Sequence, residues 1–445
     1  MAPLDVTHVR SQFPSLRNGF IFADNAGGSQ VAQGVIDRLT DYLINTNAQL
    51  GADYSISAES TRKVLVEAPA EAAKLFNAKS PNEIVFGSSS TLNLENLARG
   101  LESGIKAGDE FIVTGEHEGT QYHYGGFDMQ PMPTLYDVAN VGPWKKLAAR
   151  SGAIVKYWKA TPTKESNPYS VALKLEEVLP LITPRTRIVA FTACSNILGS
   201  IVPVKDYTAA IRKKAAELGV PKLEISIDCV SYAPHRRIDV QDWDIDFCVL
   251  SFYKVWGPHI SALYVKDTAL QSSVTSIVHD FLDVDKVPHK LEPGGPGYEL
   301  VYATTGVLQY LQSLTPDNSL SSASDAMAEH EQTLLRPLIS FLTDPAQWDR
   351  GVRIVGDDTV HLGRVPTVSF VVVGPRATKS KDIVKEFDRR GKVGIRWGHF
   401  YAYTLIDTLE PKVDVDDAVV RISLVHYNTV EEVQIIVDTL KEILI

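Results

Sequence analysis

Ser251-Phe252-Tyr253-Lys254-Val255-Trp256-Gly257-Pro258-His259 is the stretch whose reading decides the fold of this chain. Apolar runs flank it, Phe247 to Leu250 before and Ile260 to Val265 after. Two short apolar runs around a turn read as buried strands joined by a loop. A lysine there is unusual, because an ammonium group leaves water only if something compensates. A lone loop lysine is most often simply solvated. A covalent imine with a cofactor aldehyde is the other way to keep it. Upstream, Leu223-Glu224-Ile225-Ser226-Ile227 reads as a strand closed by Asp228. Ligand crevices in open α/β sheets lie at the carboxyl ends of strands. An aspartate there can keep a pyridine nitrogen protonated. A lysine imine with an aspartate on the pyridinium is the layout expected for pyridoxal 5'-phosphate (PLP).

Composition sets the outer limits. With 445 residues the chain can bury a large core and is expected to form two or three domains. A hydrophobic share of 44% with 22% charged residues is that of a soluble globular protein. The net charge of -10 argues against nucleic acid or an anionic membrane as a main partner. No apolar run reaches membrane-spanning length. Met1 to Val6 has no secretory character, so a cytoplasmic location is expected. Three cysteines, Cys194, Cys229 and Cys248, fit a reducing compartment and buried, inert thiols. No metal site is expected.

Along the chain, Asp5 to Phe13 reads as a helix and Ile21 to Ala23 as a short strand. Asp24-Asn25-Ala26-Gly27-Gly28 follows, either a plain turn or one that brings backbone close to a ligand. Gln33 to Leu43 and Ala58 to Phe76 carry helical periodicity. The strand Glu83 to Phe86 leads through Gly87-Ser88-Ser89-Ser90-Thr91 into a helix from Asn93 to Leu101. That order makes a phosphate cradle, since the first helical amides are unpaired and the dipole favours an anion. The hydroxyls could equally serve only as helix caps. Strands at Glu110 to Val113, Ala153 to Trp158 and Arg187 to Thr192 alternate with helices at Pro143 to Arg150, Leu175 to Leu181 and Asp206 to Leu218. Such alternation implies a mostly parallel sheet covered on both faces. Leu291 to Gly297 breaks the pattern. Helices at Leu300 to Leu314 and Ala326 to Leu342 follow, then strands at Thr367 to Val373, Val393 to Trp397 and Val419 to Val425. The expected division is a large α/β domain over residues 18–300 and a smaller α+β domain over 301–445 together with residues 1–17.

Three segments carry a resemblance: Asp228-Cys229-Val230-Ser231-Tyr232-Ala233-Pro234-His235-Arg236-Arg237-Ile238-Asp239, Ser251 to His259, and Arg421-Ile422-Ser423-Leu424-Val425-His426-Tyr427-Asn428-Thr429. In this order they resemble the class V aminotransferases, the cysteine desulfurase-like branch of PLP fold type I. The resemblance implies a large domain with a mostly parallel seven-stranded sheet. It implies that Lys254 forms the internal aldimine and moves the α-carbon proton, that Asp228 pairs with the pyridine nitrogen, and that His117 stacks on the ring. Asn196 would sit near the phenolic oxygen. Ser90, Thr91 and Ser251 would bind phosphate, with Tyr253, Ser231 and Gly295 at positions that touch the cofactor in relatives. Arg421 would grip a substrate carboxylate in a bidentate fork, beside Ala26 and Gly27. A homodimer is implied as well.

The departures from that family matter. Desulfurases carry a mobile cysteine in the segment matching Arg396 to Tyr401, where Tyr401 stands here. Tyr253 replaces a frequent histidine, Ser231 a frequent glutamine, and Gly295 a phosphate-binding threonine. Residues Gly119 to Val138 interrupt the family pattern, and joining Glu118 to Ala139 restores it. A translated intron and a true loop insertion both account for that. The expected function is a PLP enzyme acting at the α-carbon of a free amino acid, similar to fungal natural-product members that form carbon–carbon bonds by Mannich or aldol addition. The enzyme alternatives are a β-eliminating C–S lyase and an epimerase. A non-catalytic binding relative would be expected to have lost Lys254 or Asp228.

Overall fold

The computed structural model describes residues 3–114, 140–279 and 289–444. Its central feature is a seven-stranded sheet ordered Ile84–Gly87, Ser261–Val265, Phe247–Ser251, Glu224–Asp228, Thr186–Thr192, Glu110–Thr114, Ile154–Trp158. Ser261–Val265 runs antiparallel to both neighbours, and every other pairing is parallel. The five strands from Ser261–Val265 to Glu110–Thr114 are buried throughout. Helices lie on both faces, which is why Phe247 to Leu250 and Ile188 to Phe191 read as apolar runs, whereas Glu224–Asp228 alternates and its Glu224 is paired with Arg187 at 2.6 Å. The edge strand Ile154–Trp158 is buried only at Trp158. Glu110 lies inside the sheet, and Lys156 at 2.6 Å and Arg185 at 2.8 Å neutralise it.

A second sheet is antiparallel, ordered Val352–Val355, Thr367–Val372, Val419–Ser423, Arg396–Gly398. The helices Leu320–Leu342, Ser380–Arg390 and Val430–Ile443 pack against it through Leu335, Leu338, Phe387, Val433 and Ile436. The expected strand from Val393 to Trp397 divides in two. Val393 and Gly394 pair in parallel with Ile21 and Phe22, and Arg396 to Gly398 pair with Val419 to Arg421. The break lets one short segment join the amino-terminal strand to the second sheet.

Val9 and Phe13 pack with the large-sheet cluster, Phe13 meeting Tyr310 and Tyr427 edge-on at 5.2 and 4.9 Å. Helices Tyr298–Ala303 and Thr305–Gln312 lie on Gln33–Asp41 and share that cluster. On this packing we propose that the amino-terminal helix and residues up to about 312 go with the large domain, in place of a division at residue 300. No helix among the described residues is long and apolar enough to cross a membrane.

Candidate active site

A cavity of about 400 Å³ opens at the carboxyl ends of the parallel strands. Asp228 is the last residue of its strand and Lys254 ends the single turn after Phe247–Ser251, so both line this cavity. Asp228 is buried, and Val230 N–H donates to its Oδ1 at 2.8 Å. Burial pushes its pKa above the usual carboxylate range. Burial pulls Lys254 down to about 8, the Arg421 charge adds to that, and Asp228 and Asp24 oppose it. A lysine tuned this way is a free amine for much of the neutral-to-basic range, which is what both imine formation and proton abstraction require.

At one end of the cavity stand Ser89, Ser90, Thr91 and Ser251. Ser89 caps the helix Ser90–Leu101, its hydroxyl accepting from Leu92 N–H. Ser90 Oγ lies 2.6 Å from Ser251 Oγ and 3.0 Å from Ser261 Oγ. Asn93 Nδ2 donates to Ser261 Oγ, which donates to the Leu250 carbonyl. Beyond the Ser89 cap, the hydroxyls of two neighbouring strand ends, Ser251 and Ser261, converge on Ser90 at the start of one helix. Hydroxyls and open amides at a helix start suit an anion.

The opposite wall holds Arg421, buried in the second sheet. Its Nη2 meets Asp24 Oδ1 at 2.7 Å, its Nη1 donates to the Asn196 carbonyl at 3.3 Å, and the Phe400 ring covers its Cζ at 3.6 Å. The fork is thus partly engaged within the chain. Arg396 Nε lies 3.6 Å from the other Asp24 oxygen. Asn196 Nδ2 donates to the Phe400 carbonyl, while its Oδ1 is buried without a partner among the described residues. Phe400 and Tyr401 are both left-handed, at φ +48° and +66°. Such a pair of bulky residues is strained and is held there by the surrounding contacts.

Ala26, Gly27, Ser231 and Tyr253 also line the cavity, with Tyr253 stacked on His259 at 5.0 Å. Gly295 does not; it lies beside Tyr298, outside the cavity of its own chain. His117 and the segment from Gly119 to Val138 fall outside the described residues. Sequence reasoning missed Ser89, Asp24, Arg396 and Phe400. Ser89 carried an N-cap signal. Asp24 lay in a glycine turn already singled out, but nothing marked its partner nearly four hundred residues away.

The aminotransferase class-V family model matches residues 21–122 and 136–436. The chain belongs to this family. It is 39% identical over 445 residues to the aminotransferase-like protein FGM3 of Gibberella zeae, covering 99% of this chain and 98% of that one. It is 29% identical over 445 residues to the cysteine desulfurase-like protein ustD of Aspergillus flavus, covering 99% and 91%. A solved structure titled an apo cysteine desulfurase from Thermococcus onnurineus superposes with a TM-score of 0.78 at 21% identity, covering 100% and 99%. The architecture is that of PLP fold type I. The family match and the site agree on PLP as cofactor: a buried acid, a lysine of lowered pKa and a hydroxyl-lined helix start share one cavity. The chain is a PLP-dependent enzyme. The family model leaves residues 123–135 unmatched, within the segment that interrupts the sequence pattern.

Proposed function

We propose that this enzyme acts at the α-carbon of a free amino acid and forms a carbon–carbon bond there, by Mannich or aldol addition, in secondary metabolism. The observation that carries the reading is the state of the thiols. The chain has three cysteines, all buried, and none lines the cavity. A desulfurase's persulfide step has no nucleophile here, and the wall that faces the substrate presents Phe400 and Tyr401 instead.

PLP supplies the electron sink that makes bonds at the α-carbon breakable. The protein does the rest. Asp228 would hold a proton on the pyridine nitrogen. The hydroxyls of Ser90, Thr91 and Ser251 would hold the phosphate. Asn196 would offer its side chain to the phenolic oxygen, with Ser231 and Tyr253 bordering the same space. Arg421 receives the substrate carboxylate and, with the backbone at Ala26 and Gly27, fixes which α-carbon bond faces Lys254. The Lys254 amine takes and returns the α-proton. Orientation by such a fork decides the bond that breaks.

Incubation with single amino acids in deuterium oxide, with and without added aldehydes, tests the reading. The expected result is deuterium at the α-carbon and an amino acid–aldehyde adduct, with neither in Lys254→Ala. Sulfide from cysteine at a competent rate, with no adduct, would replace it by a C–S lyase. A homodimer is proposed too. Leu43, Ile44, Ile56 and Val66 are exposed on helical segments that pack on one another, with Ile44 at 73% exposure, and a partner subunit would cover them. A monomer in sedimentation equilibrium would reject it.

A further inference from the structure

Lys254 sits in a loop that is fastened from both sides by one distant residue. Ser29 N–H donates to the Tyr253 carbonyl at 3.0 Å, and Ser29 Oγ donates to that same carbonyl at 3.3 Å. The hydroxyl in turn accepts from Trp256 N–H at 2.9 Å. The bond just before the lysine and the amide two residues after it are thereby tied to a single side chain. Trp256 needs such a tie. It is left-handed at φ +63°, fully buried, and too bulky to adopt that conformation unaided. Its carbonyl accepts from Ala32 N–H at 3.0 Å, and its indole is boxed by Tyr310 and His426 at 5.4 and 4.5 Å. Gly28 leaves room for the Tyr253 ring, since a Cβ there would stand 3.3 Å from Tyr253 Cδ2.

We propose that Ser29 is a positioning residue for Lys254: its hydroxyl bridges Tyr253 and Trp256 and so fixes the line along which the lysine amine enters the cavity. The Ser29 hydroxyl has one proton and gives it to Tyr253, and one lone pair takes the Trp256 N–H, so both capacities are used within the loop. Without the hydroxyl, the Trp256 amide loses its partner, and the left-handed residue is held only by Ala32 N–H on its carbonyl and by the Val255 and Gly257 amides on the Phe252 carbonyl to either side. The loop then relaxes towards ordinary backbone angles, and the Lys254 Cα turns with it. Misplacement of a reacting group by about 1 Å is enough to cost roughly 100-fold in rate. The proposal rests on the reading of Lys254 as the residue that takes the cofactor aldehyde.

The test compares wild type, Ser29→Ala, Ser29→Thr and Lys254→Ala, each as the full chain loaded with PLP. Two readouts do not depend on turnover: the pH midpoint of the bound cofactor's absorbance band, and the rate at which borohydride fixes the cofactor to Lys254. The expected result for Ser29→Ala is a retained fold by circular dichroism, a midpoint moved by more than half a pH unit and fixation slowed at least fivefold. Ser29→Thr, which keeps the hydroxyl, returns both towards wild type. An unchanged midpoint and fixation rate in Ser29→Ala overturns the proposal, as does equal damage in the threonine variant. Should Ser29→Ala fail to fold, Ser29→Cys keeps the volume with a poor donor and is held to the same criteria. Failure of the underlying reading looks different: wild type and Lys254→Ala would then show the same absorbance and no fixation at residue 254.

Discussion

Asp24→Ala should loosen the second wall of the site, and the cost can be worked from its contacts. Asp24 Oδ1 is the carboxylate oxygen on Arg421, 2.7 Å from Nη2, and Arg421 is 1% exposed. Breaking a fully buried pair costs about 3–5 kcal/mol, because the surviving charge is left in a poor solvent. The Asp24 side chain is a quarter exposed, so water reaches the gap and the penalty falls to about 2 kcal/mol. Burial already holds the Arg421 pKa below its ordinary value and Asp24 is what counters this, so the variant worsens an existing tension. The assay is thermal unfolding of the apoprotein in acetate and in chloride at matched ionic strength. The variant is expected to melt several degrees below wild type in chloride. Acetate should stabilise Asp24→Ala more than wild type, whose fork is already partly engaged by Asp24, since the freed guanidinium takes a carboxylate and ligand binding to the folded state stabilises it. Asp24→Asn, which keeps an acceptor, should lie between the two. Equal melting of wild type and Asp24→Ala, or equal response to acetate, would refute the account of Arg421.

Other outcomes follow from the same site. In the apoprotein, labelling of Lys254 by a carbonyl reagent should rise with pH around a midpoint of about 8; Arg421→Met removes a repelling charge and should move that midpoint upward. Lys254 is held below its unfolded value near 10.4, so between about pH 8 and that value the unfolded chain binds more protons. Apoprotein stability should therefore rise with pH across this window, and Lys254→Met should abolish the rise. Asp228 is displaced the other way, so it costs stability as pH climbs from its unfolded value through its raised folded value. Asp228→Asn should make the apoprotein at least as stable as wild type at neutral pH while removing turnover, as read by paired melting and deuterium-exchange measurements. Gly87→Ala would place a Cβ 2.1 Å from Asn93 Oδ1; it should disrupt the chain from Asn93 through Ser261 to Ser90 and weaken PLP binding about tenfold, measured by equilibrium dialysis.

Much of this architecture could be read from residue order. The buried strands announce themselves through their apolar stretches, Phe247 to Leu250 and Ile188 to Phe191, because both faces are covered; Arg187 beside them is buried against Glu224 at 2.6 Å. Lys254 and Asp228 are legible because charged groups at the ends of such runs need a reason to be there. The strand Val352–Val355 was missed; it is only four residues long and carries a partly exposed Arg353 among buried neighbours. The split at Val393 to Trp397 was invisible because its two halves pair with partners far apart in the chain. Asp24 and Phe400 escaped notice for the same reason. Their roles come from a fold that brings residues 24, 196, 400 and 421 together, and no local pattern encodes that meeting.

The antiparallel strand Ser261–Val265, inserted between Ile84–Gly87 and Phe247–Ser251, has a bearing on how such enzymes can change. It puts Ser90, Ser251 and Ser261 side by side using the large sheet alone. Arg421, its partner Asp24 and the Phe400 ring that covers it are borrowed from the two ends of the chain. On the proposed roles, grip on the vitamin and choice of reactant would be carried largely by separate stretches, so that either could be redesigned while the other is left as it stands.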